Sequence, residues 1–180
     1  MTDEERIAYI SKYPFLQVRK IDDTPIKGAC YLDGMPKGWI KAFAKPMLED
    51  FAKVMREENL DMNEVRIIDV KEKYGSLRWY WGCTHNSKKL DEITTLYEYV
   101  ASAFCARCGE HPVMMTKGYI LPLCKHCWED WKKRETFTGE ETTFTPEFPE
   151  VTSSHTENGV MIEETLPLKQ LFDRIIGYKK

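Results

Sequence analysis

Four cysteines in two close pairs constrain this chain more than any other feature. Cys105 and Cys108 form one C-x-x-C pair, Cys124 and Cys127 form another, and fifteen residues lie between the pairs. A C-x-x-C turn brings two thiolates to one side of a tight knuckle, and two knuckles supply a tetrahedron, the arrangement of a structural zinc site. The flanking residues agree. Gly109 follows the first pair, where a permissive backbone helps the turn. Val113–Met115, a Lys117-Gly118 turn and Tyr119–Leu121 suit a small hairpin. The second pair opens an expected helix, "CKHCWEDWKKR", whose N-terminal partial charge favours thiolates. Knuckle, hairpin and ligand-bearing helix follow one another as in a treble-clef finger. Four thiolates leave no position for water, so such a site stabilises structure and activates no nucleophile. The competing reading is a pair of redox-active C-x-x-C motifs, which calls for a thioredoxin-like βαβ pattern that the sequence lacks. His111 and His126 rank behind the cysteines as ligands and read as surface or ligand-supporting residues. Cys30 and Cys83 read as small buried apolar residues.

The remaining residues support a packed α+β domain. Apolar residues make up 42% of the 180 and charged residues 31%, which suits a folded core. A net charge of −3 argues against a chain built mainly to coat DNA. The charge is uneven: residues 136–180 hold eight acids against four bases, and no Lys or Arg occurs from Thr136 to Leu168. That tail reads as a solvated acidic extension or as an arm docking on a basic surface, its own or a partner's. No run is apolar enough to span a membrane and no secretory leader opens the chain, so a reducing bacterial cytoplasm is the expected location.

Three units are expected: an α+β body over 1–104, a zinc finger over 105–134 packed on it, and an irregular acidic strap with a short C-terminal helix over 135–180. Thr2 and Glu5 form a capping box for a first helix with Ile7 and Ile10 turned inward, ending before Pro14. Residues 17–38 read as loop with short extended pieces. Trp39, Ile40 and Phe43 make an apolar turn before a helix from about 46 to 58, with Pro46 in its first turn. "EVRIIDVKEK", "YGS" and "LRWYWG" read as a hairpin. Ser87 caps an amphipathic helix carrying Leu90, Ile93, Tyr97, Val100 and Phe104. Leu168, Leu171, Phe172, Ile175 and Ile176 suit a final short helix.

The hairpin stretch "KEKYGSLRWYWG" admits three readings. In the first it is structural: Trp79 and Trp81 pack on the helix of residues 90–104, and Arg78 pairs with a carboxylate. In the second it meets nucleic acid: Lys71, Lys73 and Arg78 contact phosphates and Tyr80 stacks on a base, helped by Lys132, Lys133 and Arg134 but diluted by Glu72, Glu110, Glu129 and Asp130. In the third, Asp69-x-Lys71 is half of a metal-dependent nuclease motif, completed by Asp61 or Asp50.

"GW" at 38–39, "VKEKYGSLRWYW" at 70–81 and "CARCG" at 105–109 occur in an order that resembles an uncharacterised family of small bacterial and phage proteins. That family has a K-E-K-[FY]-G-x-L-R-[FWY]-Y hairpin ahead of a C-x-x-C zinc finger. The resemblance covers roughly residues 38–128 and rests on Lys71, Glu72, Lys73, Tyr74, Gly75, Leu77, Arg78 and Tyr80; Ser76 stands where the family often has Gly. It implies architecture and no activity. A phage origin would suit a protein that binds a host protein. The expected function is therefore non-enzymatic: a zinc-containing protein that contacts a protein or nucleic acid through Lys71, Lys73, Arg78 and Tyr80. The nuclease reading through Asp69 and Lys71 is the alternative.

Overall fold

The first helix, α1 (Asp3–Lys12), starts where its cap dictates. The Thr2 hydroxyl accepts the Glu5 N–H, and the Glu5 carboxylate accepts the Thr2 N–H at 2.8 Å. Tyr9 and Ile10 touch the core and Arg6 pairs with Asp33, so Ile7 is left 63% exposed and does not turn inward as its spacing suggests. The computed structural model describes residues 1–83, 86–111, 114–116, 119–134, 141–143, 151–157 and 160–178. After α1, the short strands β1 (Gln17–Arg19) and β2 (Pro25–Cys30) pair antiparallel, and a 3-10 turn spans Tyr31–Gly34.

The next helix begins earlier than its sequence implies. A short α turn, α2 (Lys37–Trp39), passes into a π-helical turn at Ile40–Ala44 and then directly into α3 (Lys45–Glu57). Pro46 has no N–H to donate and its ring clashes with a carbonyl four residues back, which opposes regular α geometry just upstream. A widened π turn immediately before it relieves that conflict.

β3 (Arg66–Lys73) and β4 (Ser76–Gly82) form the expected hairpin, turning at Tyr74 and Gly75 with φ of 54° and 77°. Two positive φ values are what a tight two-residue hairpin turn requires. The pairing shifts register between Ile67 and Asp69. This bulge at Ile68 lets Ile67 and Val70 both face the core and leaves Ile68 exposed, breaking simple alternation. Trp79 lies 4.7 Å, centroid to centroid, from Phe51 of α3, and Trp81 meets the same ring edge-on. The indoles therefore meet α3 through Phe51, while β4 also packs against the helix of residues 90–104, as expected. That helix, α4 (Lys88–Ala101), is capped by Ser87, whose hydroxyl accepts the Leu90 N–H, and it reaches Trp81 through Asp91. Phe43, Tyr97 and Phe104 close the aromatic core.

β5 (Met114–Thr116) and β6 (Pro122–Leu123) pair antiparallel, and α5 (Lys125–Arg134) follows. Val113 and the expected Lys117-Gly118 turn lie outside the described residues, as do 135–140 and 144–150 of the tail.

The tail departs most from expectation. β7 (Glu141–Thr143) adds to the outer side of β5, giving the order β6-β5-β7. β8 (Val151–Glu157) and β9 (Val160–Leu166) make a continuous antiparallel hairpin where an irregular strap was expected. Their β-branched residues favour strands, and Asn158-Gly159 between them is a strong hairpin signal in the sequence. Val151 and Leu166 bury the base of this hairpin, and Lys88 of α4 pairs with Glu164 at 2.7 Å. α6 (Leu168–Tyr178) then packs on the body through Leu168, Leu171 and Ile175. Arg174 holds Asp50 with both guanidinium nitrogens, and Asp50 also accepts the Tyr97 hydroxyl at 2.7 Å. The fold is α+β, helices around small antiparallel sheets with a cysteine cluster at one side. Among the described residues no helix is long and apolar enough to cross a membrane.

Candidate metal centre

The first knuckle is built by the backbone. Cys105 donates its N–H to the Glu110 carbonyl and Gly109 donates to the Cys105 carbonyl, each at 2.8 Å. Gly109 has a φ of +81°, a left-handed conformation open to glycine. The second knuckle sits at the start of α5, with Cys124 just before the helix and Cys127 in its first turn. Ala106 donates to the Pro122 carbonyl at 2.9 Å, so the knuckle is sewn to β6. Arg107 reaches Asp130 at 3.3 Å and joins the knuckle to α5.

These links bring the Sγ atoms of Cys105, Cys108, Cys124 and Cys127 within 4.8 Å of one another, with Cys108 and Cys124 at 3.6 Å. A tetrahedral tetrathiolate site with Zn–S bonds of about 2.3 Å has sulfurs about 3.8 Å apart. The donor set and its spacing thus fit a dication such as zinc. All six cysteines are free thiols.

The local electrostatics agree. Burial pushes the Cys105 thiol up, but the backbone N–H groups of Cys124, Cys108 and Arg107 outweigh it and hold the thiol below its ordinary value. Burial raises Cys108 and Cys127, and the negative charge of Cys105 raises Cys127 further. Without a cation the first thiolate opposes ionisation of the others; a dication removes that opposition. The four residues would hold the ion, and the ion would supply a crosslink. His111 stands between the rings of Phe104 and Phe172, at 6.2 and 5.5 Å, and His126 is exposed. Cys30 is buried, which raises its thiol, and Cys83 is half-buried.

The centre is bolted to the body at two glycines. Gly38 donates its N–H to the Ala106 carbonyl at 2.9 Å, and a Cβ on Gly38 would lie 2.2 Å from the Cys105 carbonyl oxygen. Trp39 donates its indole N–H to the Phe104 carbonyl at 2.9 Å. At the hairpin tip, a Cβ on Gly75 would lie 2.8 Å from the Met115 methyl and 3.0 Å from Ile120. Glu72 closes that turn by accepting the Gly75 N–H at 2.7 Å. The role of Glu72 and Gly38 was not evident from spacing.

The hairpin residues singled out by sequence fall on one register. Asp69 faces Tyr80, Lys71 faces Arg78 and Lys73 faces Ser76. Tyr80 is 47% exposed. Lys71 pairs with Asp69, Lys73 lies over the Tyr74 ring, and Arg78 pairs with Glu98 at 3.5 Å. Glu98 also accepts the Trp79 N–H at 2.9 Å, and burial raises its carboxyl above the ordinary range. The carboxylates proposed to complete a nuclease site are engaged elsewhere: Asp50 by Tyr97 and Arg174, Asp61 by Asn63. Among the described residues, the cysteine cluster is the group of His, Cys, Asp and Glu side chains that converges as metal ligands do. Lys132 lies over the Trp128 ring, and Lys133 is exposed. Comparisons of the chain with protein-family models, curated proteins and solved structures each returned no match.

Proposed function

We propose that the four cysteines hold a structural zinc ion in a treble-clef-like finger, and that the protein is a non-enzymatic binding module. The observation that carries this reading is the double attachment of the cysteine cluster, to Gly38 on one side and to the Gly75 hairpin tip on the other. A closed tetrathiolate centre has no open position for chemistry, and one locked to a hairpin orients that hairpin. The outward face then meets the partner through Ile68, Tyr74 and Tyr80, which are 63%, 70% and 47% exposed, rimmed by Lys71, Lys73 and Arg78. Aromatic and aliphatic groups with basic neighbours suit a protein contact. The acids beside Lys71 and Arg78 reduce their free charge and favour a protein over nucleic acid on this face. Free cysteines suit a reducing cytoplasm, and the resemblance to bacterial and phage proteins favours a host protein as partner.

The test is affinity capture from bacterial lysate with and without nuclease, comparing the native chain with Ile68→Glu combined with Tyr80→Ala. Proteins retained after nuclease treatment by the native chain and lost with the double variant support the reading. Identical capture by both chains would overturn it. One atom of zinc per chain, measured by mass spectrometry under native conditions, is expected.

A further inference from the structure

A second surface carries a concentrated row of positive charge. Lys37, Lys41 and Lys45 recur every fourth residue along the continuous helical run that opens at α2, and all three are exposed. At an α rise of about 1.5 Å per residue, somewhat less through the π turn, successive lysine backbone positions stand about 5–6 Å apart along the axis. Among the described residues none of the three has a carboxylate partner. Glu5, whose carboxylate accepts the Thr2 N–H, stands on the α1 side of the same surface, and Glu49 pairs with Lys12 at 3.6 Å. The three lysines line a cavity of about 390 Å³ between α1 and this helix, whose walls also include Met1, Glu5, Tyr9 and Ile40, so its lining sets three lysines against one acid.

The position is electrostatically wrong for an ordinary helix. The N-terminal end carries partial positive charge and favours acids, yet its opening turns hold three lysines and no acid. A local conflict of this kind, with no ion pair to relieve it among the described residues, marks a place where an outside ligand can supply the relief. An anion bearing several charges in a row would supply it. Regularly stepped cations beside an aromatic wall match single-stranded nucleic acid, whose phosphates follow one another along the chain and whose bases stack on rings. We infer that the Lys37, Lys41 and Lys45 row, with Tyr9 as its stacking wall, binds the phosphodiester backbone of single-stranded nucleic acid. The site is separate from the hairpin face and does not depend on the function proposed for it. With three phosphate contacts and a net charge of −3, binding is expected to be confined to this row and to weaken as salt rises.

Fluorescence anisotropy with a labelled twelve-residue oligothymidylate and the full zinc-loaded chain tests this. Binding is expected at low salt, with a log–log salt slope of about −2, the value for three phosphates on a single strand. Lys41→Glu with Lys45→Glu should weaken binding at least tenfold, Tyr9→Leu should weaken it less, and Lys53→Gln on α3 should leave it unchanged. Thermal melting and zinc content report whether each chain is folded, and Lys41→Gln with Lys45→Gln replaces any charge reversal that misfolds. No binding at low salt, or equal binding by the double variant, overturns the inference. So does full displacement by equimolar nucleoside triphosphate, which would assign the cavity to a free nucleotide. Stronger retention on anionic phospholipid vesicles than on the oligonucleotide would assign it to a membrane surface and overturns the inference as well.

Discussion

The body and the cysteine-bearing segment are held together by different physics. In the body, Trp39, Phe43, Met47, Phe51, Tyr97 and Phe104 are all fully buried in one continuous cluster with the hairpin strands. Burying side chains of that size contributes roughly 1.5–3 kcal/mol each, which suits a core that stands by itself. The segment from Cys105 to Arg134 has a separate cluster of Cys105, Leu123, Cys127 and Trp128, and half of these are candidate ligands. Four residues cannot repay the ordering of some thirty. Oil stabilises one region and, on the proposed reading, an ion the other, and the two meet at Gly38 and Gly75.

The sharpest break in that comparison comes from stripping the four cysteines of the metal proposed for them. Structural zinc in isolated fingers is worth roughly 10–16 kcal/mol of folding free energy at neutral pH. Chelation, or Cys127→Ser, should therefore abolish hydrogen-exchange protection across β5, β6 and α5 while α3, β3 and β4 keep theirs. Loss of protection everywhere would show that the body also depends on the ion. Next in size is a paired truncation. Phe51→Ala should lower the urea-unfolding free energy of the body by about 3–5 kcal/mol, whereas Trp128→Ala should weaken metal retention and leave the body transition in place. Gly38→Ala tests the joint. Its Cβ meets backbone at 2.2 and 2.6 Å, where nothing can rotate away, so about 3 kcal/mol should be lost and metal affinity should fall together with stability. The smallest effect concerns Glu98. Burial raises its folded pKa above the ordinary 4.5, so the native state binds the proton more tightly than the unfolded chain does. Its contribution is full below 4.5 and is lost as pH rises through the higher folded value. Glu98→Gln retains the acceptor for the Trp79 N–H and should flatten that slope in denaturation curves measured from pH 4 to 7.

Much of this division was legible in the residues, for reasons that differ by region. The cysteine cluster was legible because four side chains at set spacings have few ways to converge. The β3–β4 hairpin and α4 were legible because periodicity and Ser87 report local geometry directly. Ile68 was not, since a bulge answers to the core it serves and not to its own strand. The β8–β9 hairpin was missed because its Thr, Ser and Glu content resembles a solvated tail, although Asn158-Gly159 carried the signal. The lysine row was hidden by taking residues 39–43 as a turn; only an unbroken helix puts positions 37, 41 and 45 on one side. The interlock at Gly38 depends on two segments nearly seventy residues apart, which no local pattern contains.

The three-residue strand β7 has a consequence for how molecules of this protein behave toward each other. It occupies the flank of β5, whose amides and carbonyls would otherwise stand ready to recruit a strand from a neighbouring chain. The acidic extension is thus a guard as well as a tether, and a chain cut after α5 would expose a sticky seam along β5.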